Sequence, residues 1–270
     1  MLDKPIITLT TDFGVKDPFV GIMKGIIYEI NPKANVIDLS HNITPHNVIE
    51  ASRVIWMAHK YFPPTTIHVA VVDPQVGGLR NPILVVTDDY YFIGPDNGIF
   101  SHIMDEEYPG SMFKVIKISA THYFRSLKGS TFHGRDIFAP SAAWLSKGIE
   151  SSKLGEPLHE YVTIQTPKPR LINENTIEGK VIYIDVFGNA VTNITKDNLQ
   201  KLSPEFSAEK FRVIYKNKKL IISNYYSETQ SANLSGIINS FEFLELFIYK
   251  VNASEKFGIK TGDKVSVVVV

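Results

Sequence analysis

Apolar positions along this chain follow one rhythm up to about residue 165 and another after residue 177. The first half alternates short, β-branched runs with stretches of helical spacing. Residues 5–10 read as a buried strand that runs into the polar loop Thr11-Asp12-Phe13-Gly14. Residues 18–30 carry Phe19, Ile22, Met23, Ile26, Ile27 and Ile30 at helical spacing, and Asn31-Pro32 stops them. A short strand over 36–39 is followed by Ser40-His41-Asn42. Residues 47–62 form a second helix, ended by Pro63-Pro64. Strands are expected over 67–72, 83–87 and 90–93, and a further helix over 139–145. Strand, polar loop, helix, strand is the pattern of an α/β layered domain whose inner strands are buried on both faces, around a central, mostly parallel sheet.

Beyond residue 177 the runs are short and β-like, over 179–184, 210–215, 220–222, 243–249 and 265–270. Turns such as Lys216-Asn217 and Gly262-Asp263 separate them. This predicts a small C-terminal β domain, barrel-like or a sandwich. Between the two lies QTPKPRLINEN (165–175), with two prolines and few apolar residues. The expected organisation is an N-terminal domain over 1–165, a linker over 166–176 and a β domain over 177–270. No internal repeat or low-complexity tract interrupts it.

Composition narrows the function. The 270 residues include 28 basic and 28 acidic side chains, so nothing announces a phosphate-neutralising surface, and no nucleic-acid partner is expected. Cysteine is absent, which excludes disulfides, thiolate metal sites and cysteine nucleophiles. The start MLDKPIITLTTDFG is too short and acidic for a signal peptide, and no apolar run reaches the roughly 18 residues that span a membrane. A cytoplasmic protein without a membrane partner is the expectation.

Polar loops recur where the predicted strands end: residues 11–14, 38–41, Asp73-Pro74 and 95–98. Ligands of α/β folds sit beyond the carboxyl ends of the strands, so these loops can converge on one pocket. Each also has the composition of a simple turn. Asp12 can accept both hydroxyls of a ribose; it can equally cap the following helix or close an Asx-turn. Neither GxGxxG nor GxxxxGK[ST] is present. The segment TFHGRD (131–136) gathers His133, Arg135 and Asp136 beside Gly134, just ahead of an apolar helix. Eight histidines occur without HExxH or other tight metal-ligand spacing, so no metal site is expected. In DVFGN (185–189), Asn189 has the amide donor and acceptor to read an adenine edge, and Asp185 can hold an ammonium group. A glycine-containing turn closed by Asx bonds explains the same residues.

Taken in order, TTDFG (10–14), DLSHNITP (38–45), VVDPQVGG (71–78) with Arg80, GPDNG (94–98), TFHGRDIFAP (131–140), IDVFGNAVTNI (184–194) and NSFEFLEL (239–246) resemble one family along nearly the whole chain. It is the family of the S-adenosylmethionine hydroxide adenosyltransferases, also called S-adenosylmethionine hydrolases, related to the bacterial fluorinase and chlorinase. The resemblance implies hydrolysis of S-adenosylmethionine to adenosine and methionine, with S-adenosylmethionine as the small-molecule substrate and no cofactor. It implies a water site made by Asp73, Arg80 and His133. Asp12 would bind the ribose, Asn189 the adenine, Asp185 the methionine ammonium and Ser240 its carboxylate, with Glu245 a second candidate at that end. Phe13, His46 and Gly134 complete the expected substrate contacts. It also implies a homotrimer with sites at subunit interfaces.

The halogenases carry Tyr where this chain has Asp73, so the resemblance points to water as nucleophile. Four positions depart from the family pattern: Gln75 and Glu242 replace glycines, His46 replaces an aromatic residue, and Phe241 stands where the fluorinase has an arginine. A halide-using transferase and a sensor that binds without turnover are the alternatives.

Chemistry supports the hydrolytic reading. A sulfonium expels a neutral thioether, which needs no acid. What the reaction needs is a water in line with the C5′–S bond and a group to take its proton. Asp73 and His133 are both candidates for that task. Arg80 cannot be a base; its fork can lock Asp73 or stabilise a developing hydroxide.

Overall fold

The computed structural model describes residues 4–108, 113–125, 130–229 and 233–270, and divides into two compact units, Met1–Gln165 and Thr166–Val270. The first unit runs β1 (Ile6–Thr11), α1 (Phe19–Ile30), β2 (Asn35–Ser40), α2 (Val48–Ala58), β3 (Ile67–Val71), β4 (Pro82–Thr87), β5 (Tyr91–Pro95), β6 (Phe113–Ile118), α3 (Ala139–Ser146) and β7 (Gly155–Pro157). Its sheet has the order β2-β1-β3-β5-β4-β6-β7. The sheet is mixed, with a parallel core of β2, β1, β3 and β5 and antiparallel strands beyond it. Pairs β1–β2, β1–β3 and β3–β5 are parallel; β4–β5, β4–β6 and β6–β7 are antiparallel. The reason is local: only three residues join β4 to β5, too few for a crossover.

Strand β3 shows why the apolar runs are continuous. All five of its residues are buried. Val69 and Val71 pack with Ile7 and Leu9 against residues of α1 and α3, including Met23, Ile27 and Ala142. Ala70 and Val72 pack on the other face with Ala51 and Ile55 of α2. Each fully buried aliphatic side chain contributes about 1.5–3 kcal/mol, so both layers are anchored through the same strand.

The chain leaves β1 for β2 on one side and returns to β3 on the other. The carboxyl ends of β1 and β3 therefore flank a topological switch point, where open α/β sheets take their ligands.

The second unit runs β8 (Arg170–Asn173), β9 (Thr176–Ile184), β10 (Ala190–Thr195), α4 (Lys196–Leu202), β11 (Phe211–Tyr215), β12 (Lys218–Leu220), β13 (Ile222–Ser223), β14 (Ser235–Ile238), β15 (Phe243–Phe247), α5 (Ala253–Phe257) and β16 (Lys264–Val269). The order is β12-β11-β16-β9-β10-β15-β14-β13, with β8 also on β9. The path ends on β12 and β13, which only Ile221 separates in the chain, so the sheet curls into a nearly closed barrel around Phe211, Val213, Leu244 and Val267. Residues 166–176 are thus no bare connector: Leu171 and its neighbours add a strand, exposed at the edge. Among the described residues no helix is long and apolar enough to cross a membrane.

Candidate active site

Three loops meet at the switch point. Asp12 and Phe13 follow β1, Pro45 and His46 lie between β2 and α2, and Asp73 follows β3; with Phe19, Val71, Val76 and residues 131–134 they line a cavity of about 280 Å³. Two hydrogen bonds zip the first two loops together. The Gly14 N–H donates to the His41 carbonyl at 2.8 Å, and the His46 N–H donates to Asp12 Oδ2 at 2.9 Å. Asp12 does not cap α1, whose N-cap residue, Pro18, is met by no side-chain capping hydrogen bond. His41 is buried and braces the loop from behind: its Nδ1 is 2.9 Å from Thr11 Oγ1, and its Nε2 is 2.9 Å from Asp38, which Lys24 neutralises. Desolvation opposes ionisation of Asp38, but Lys24 and His41 outweigh it and hold the carboxyl below its ordinary value.

Asp73 and Arg80 form a buried ion pair with side chains only 5% and 3% exposed. Arg80 Nε lies 2.9 and 3.1 Å from the two carboxylate oxygens, and Nη2 also donates to Oδ2. The other side of Nη2 reaches His133 Nδ1 at 2.7 Å. The guanidinium also lies over the Phe138 ring, 5.5 Å from its centroid. His133 opens a π-helical turn, Gly134–Phe138, that continues into α3. Pro140 in the first turn of α3 has no N–H to give the Asp136 carbonyl; that carbonyl instead accepts from Arg125 N at 3.0 Å. Such turns recur at functional sites because they re-aim a side chain within a helix. Asp136 is fully buried and held by Arg135 at 2.7 Å. The His133 pKa is lowered, first by burial and then by Arg80, against the opposing pull of Asp73 and Asp136.

Glycines keep the loop compact. Gly77 has φ of +79°, and a Cβ there would strike the Ser130 carbonyl. Gln75 shows no left-handed backbone, so the missing glycine leaves no strain at that position. Gly134 packs against Met23 and Phe132, where a Cβ would sit 3.1 Å from each.

GPDNG does not line the cavity. It is scaffold: Asn97 Nδ2 donates to the Val72 carbonyl at 2.9 Å, one residue before Asp73, and Asp96 accepts from Val162 N. Phe19 and Val76 do line it and were not expected to. Phe19 has helical spacing with core residues, but its ring remains exposed and makes edge contacts with Phe13 and Phe132. Periodicity alone gives no signal that separates it from its buried neighbours.

In the second unit, Asp185 and Asn189 close the turn between β9 and β10. Asp185 Oδ1 accepts from the N–H groups of Phe187 and Asn189, and Oδ2 accepts from Asn189 Nδ2 at 3.2 Å. Gly188 is required there: its φ is +83° and a Cβ would overlap the side chain of Asn252, the cap of α5. Ser240 is exposed in the turn before β15. Glu245 is buried, with its oxygens taken by Tyr226 at 2.9 Å and Asn239 at 3.0 Å. Burial raises its pKa, assisted by nearby Asp185, which places the two carboxylates in one electrostatic neighbourhood. Asn239 Oδ1 in turn accepts from Phe241 N and Phe243 N, so Glu245 pins the Ser240 turn. Among the described residues no cluster of His, Asp and Glu has the arrangement of a metal site.

Residues 7–155 match the SAM hydroxide adenosyltransferase N-terminal domain and residues 179–266 the corresponding C-terminal domain. The (R)-S-adenosyl-L-methionine hydrolase of Methanocaldococcus jannaschii is 37% identical, over 97% of this chain and 95% of that one. A fluorinase from an Actinoplanes species is 26% identical over 73% of this chain and 74% of its own. The solved structure of an uncharacterized conserved protein from Thermotoga maritima superposes with a TM-score of 0.89 at 35% identity, covering 97% of this chain and 99% of that one.

Proposed function

We propose that this chain, which belongs to the SAM hydroxide adenosyltransferase family, hydrolyses S-adenosyl-L-methionine to adenosine and L-methionine. The observation that carries the reading is the cavity that places Asp73 and His133 on the same wall system as Asp12. Asp12 binds the ribose hydroxyls, and its Oδ1 has no protein hydrogen bond among the described residues. Water attacks C5′ in line with the breaking C5′–S bond, whose electron pair leaves on sulfur. Asp73, locked by Arg80, and His133 handle the water. Asn189 reads adenine, Asp185 meets the ammonium and Ser240 the carboxylate. Glu245 acts through Asn239 on the Ser240 turn. The aspartate at 73 favours water over halide.

The active species in this reading is a homotrimer with its sites at subunit interfaces. Fully exposed Leu79 and largely exposed Val186 and Phe187 supply apolar surface for such contacts. Light scattering should then return three times the chain mass of 30.3 kDa.

Incubation with S-adenosylmethionine and a chelator, followed by chromatography, tests the activity. The name of the Methanocaldococcus jannaschii relative specifies the (R) form, so both sulfonium diastereomers belong in the assay. Adenosine and methionine in equal amounts are expected. Bound but unchanged substrate would mark a sensor.

A further inference from the structure

Two groups on the cavity wall are candidates to take the proton from water, and hydrogen-bond direction separates them. Arginine only donates. The Nη2 of Arg80 carries two hydrogens; one goes to Asp73 Oδ2 and the other points to His133 Nδ1, 2.7 Å away. Nδ1 must therefore present its lone pair. A neutral imidazole with a bare Nδ1 carries its hydrogen on Nε2, and such a ring has no second lone pair to offer as a base. We propose that Arg80 holds His133 as the neutral Nε2–H tautomer, so that His133 donates a hydrogen bond to the attacking oxygen and Asp73 accepts the proton.

The reaction balances on that assignment. One O–H bond of water breaks, and its proton passes to the Asp73 carboxylate. A lone pair of the water oxygen forms the C5′–O bond, the O–H electrons stay on that oxygen as a lone pair, and the C5′–S pair leaves on sulfur as a thioether. Asp73 then releases its proton to solvent, leaving adenosine, methionine and one proton. The Nε2–H of His133 occupies one lone pair of the water oxygen, directs the other at carbon and stabilises the charge left as the proton departs.

The surroundings favour the neutral ring. The charged groups around His133 are Arg80, Asp73 and Asp136. Asp73 and Asp136 are themselves bound by Arg80 and Arg135. Protonation would put a second N–H against Arg80 Nη2, a donor facing a donor. Burial and Arg80 together push the His133 pKa down, in the same direction.

This inference rests on the proposed hydrolysis for its meaning and not for its measurement. Nitrogen-15 spectra of the full-length protein at neutral pH, with and without adenosine, report which ring nitrogen of each histidine carries hydrogen. The His133 signals are those missing in His133→Gln. The expected pattern is a protonated Nε2 and a bare Nδ1 in both states, lost as a single tautomer in Arg80→Gln. An Nδ1–H tautomer, an imidazolium, or an unchanged tautomer in Arg80→Gln would overturn the proposal. Because Gln replaces the Nε2–H donor but cannot act as a base, His133→Gln should turn over at least about tenfold faster than His133→Ala, a gap of ~1.4 kcal/mol. Equal rates in the two variants would also overturn it. If the protein made no adenosine, the functional reading would fall while the spectra still decided the tautomer.

Discussion

Arg80 grips Asp73 through both carboxylate oxygens in a pocket that leaves the two side chains 3% and 5% exposed. Removing the arginine strands a buried carboxylate, whereas Asp73→Asn keeps the shape and removes the charge. Arg80→Ala should therefore lose about 3–5 kcal/mol of stability in the first unit, read by urea denaturation. Asp73→Asn should fold, bind substrate nearly normally and turn over about a hundredfold or more slowly. Full single-turnover rate in Asp73→Asn would show that the water site lies elsewhere.

In the proposed reaction Asp12 meets ribose hydroxyls, whose charge barely changes, so it should serve binding. Asp12→Ala is expected to weaken affinity strongly in calorimetry. His41 stands behind it, 2.9 Å from Thr11 and joined to Gly14 through its carbonyl. His41→Ala should weaken substrate binding by about tenfold, equivalent to ~1.4 kcal/mol or roughly one lost hydrogen bond. The effect belongs in KM; an unchanged KM with a reduced kcat would contradict this placement.

Two core histidines make the first unit acid-sensitive. His68 stacks on Phe92, bonds Thr8 at 2.8 Å, and has a pKa driven to about 3 by burial and by His59. His102, bonded to Ser52, falls to about 4 through burial and Arg53. Both rings are neutral in the fold, while the unfolded chain takes up protons from about pH 6.5 downward. Stability is therefore whole above that pH and falls below it by about 1.4 kcal/mol per unit for each histidine, until about pH 4 for His102 and about pH 3 for His68. Urea midpoints at pH 7, 5.5 and 4.5 should show the decline. His68→Phe should make it shallower, and an equally steep decline would refute the assignment.

Glu242 adopts φ of +64°, the left-handed region that glycine occupies without penalty. Its contact with Lys196, at 3.7 Å and exposed, returns little. Glu242→Gly should stabilise the second unit by about 1 kcal/mol. A lower denaturation midpoint for the variant would mean that the lysine contact matters more than the backbone.

Much of the fold was legible because burial leaves a period. The run over 67–72 has no polar interruption except His68, as a strand covered on both faces must. Strand β10 was missed because it buries polar residues through specific bonds: Thr192 donates to the Leu244 carbonyl, and Asn193 bonds Lys180 N and the Pro167 carbonyl. Strand β6 was missed because Lys114 and Lys117 break its apolar run. The roles within the motifs were only partly legible. GPDNG has the composition of a binding loop, yet its asparagine holds the backbone that presents Asp73. Glu245 has the charge of an ammonium ligand, yet both of its oxygens are engaged by the protein.

By itself the sequence determined which chemical groups each loop carries, the alternation that builds an α/β unit ahead of a β unit, and the motif series of the family. Those features are local, and local spacing records only which way a residue faces. The meeting of Asp12, His46 and Asp73 depended on the parallel order β2-β1-β3, which brings the ends of three separate strands to one cavity. The state of His133 depended on a guanidinium fifty-three positions away in the chain. A hydrogen bond has a direction only once donor and acceptor stand within about 3 Å, and that distance exists only in the folded chain.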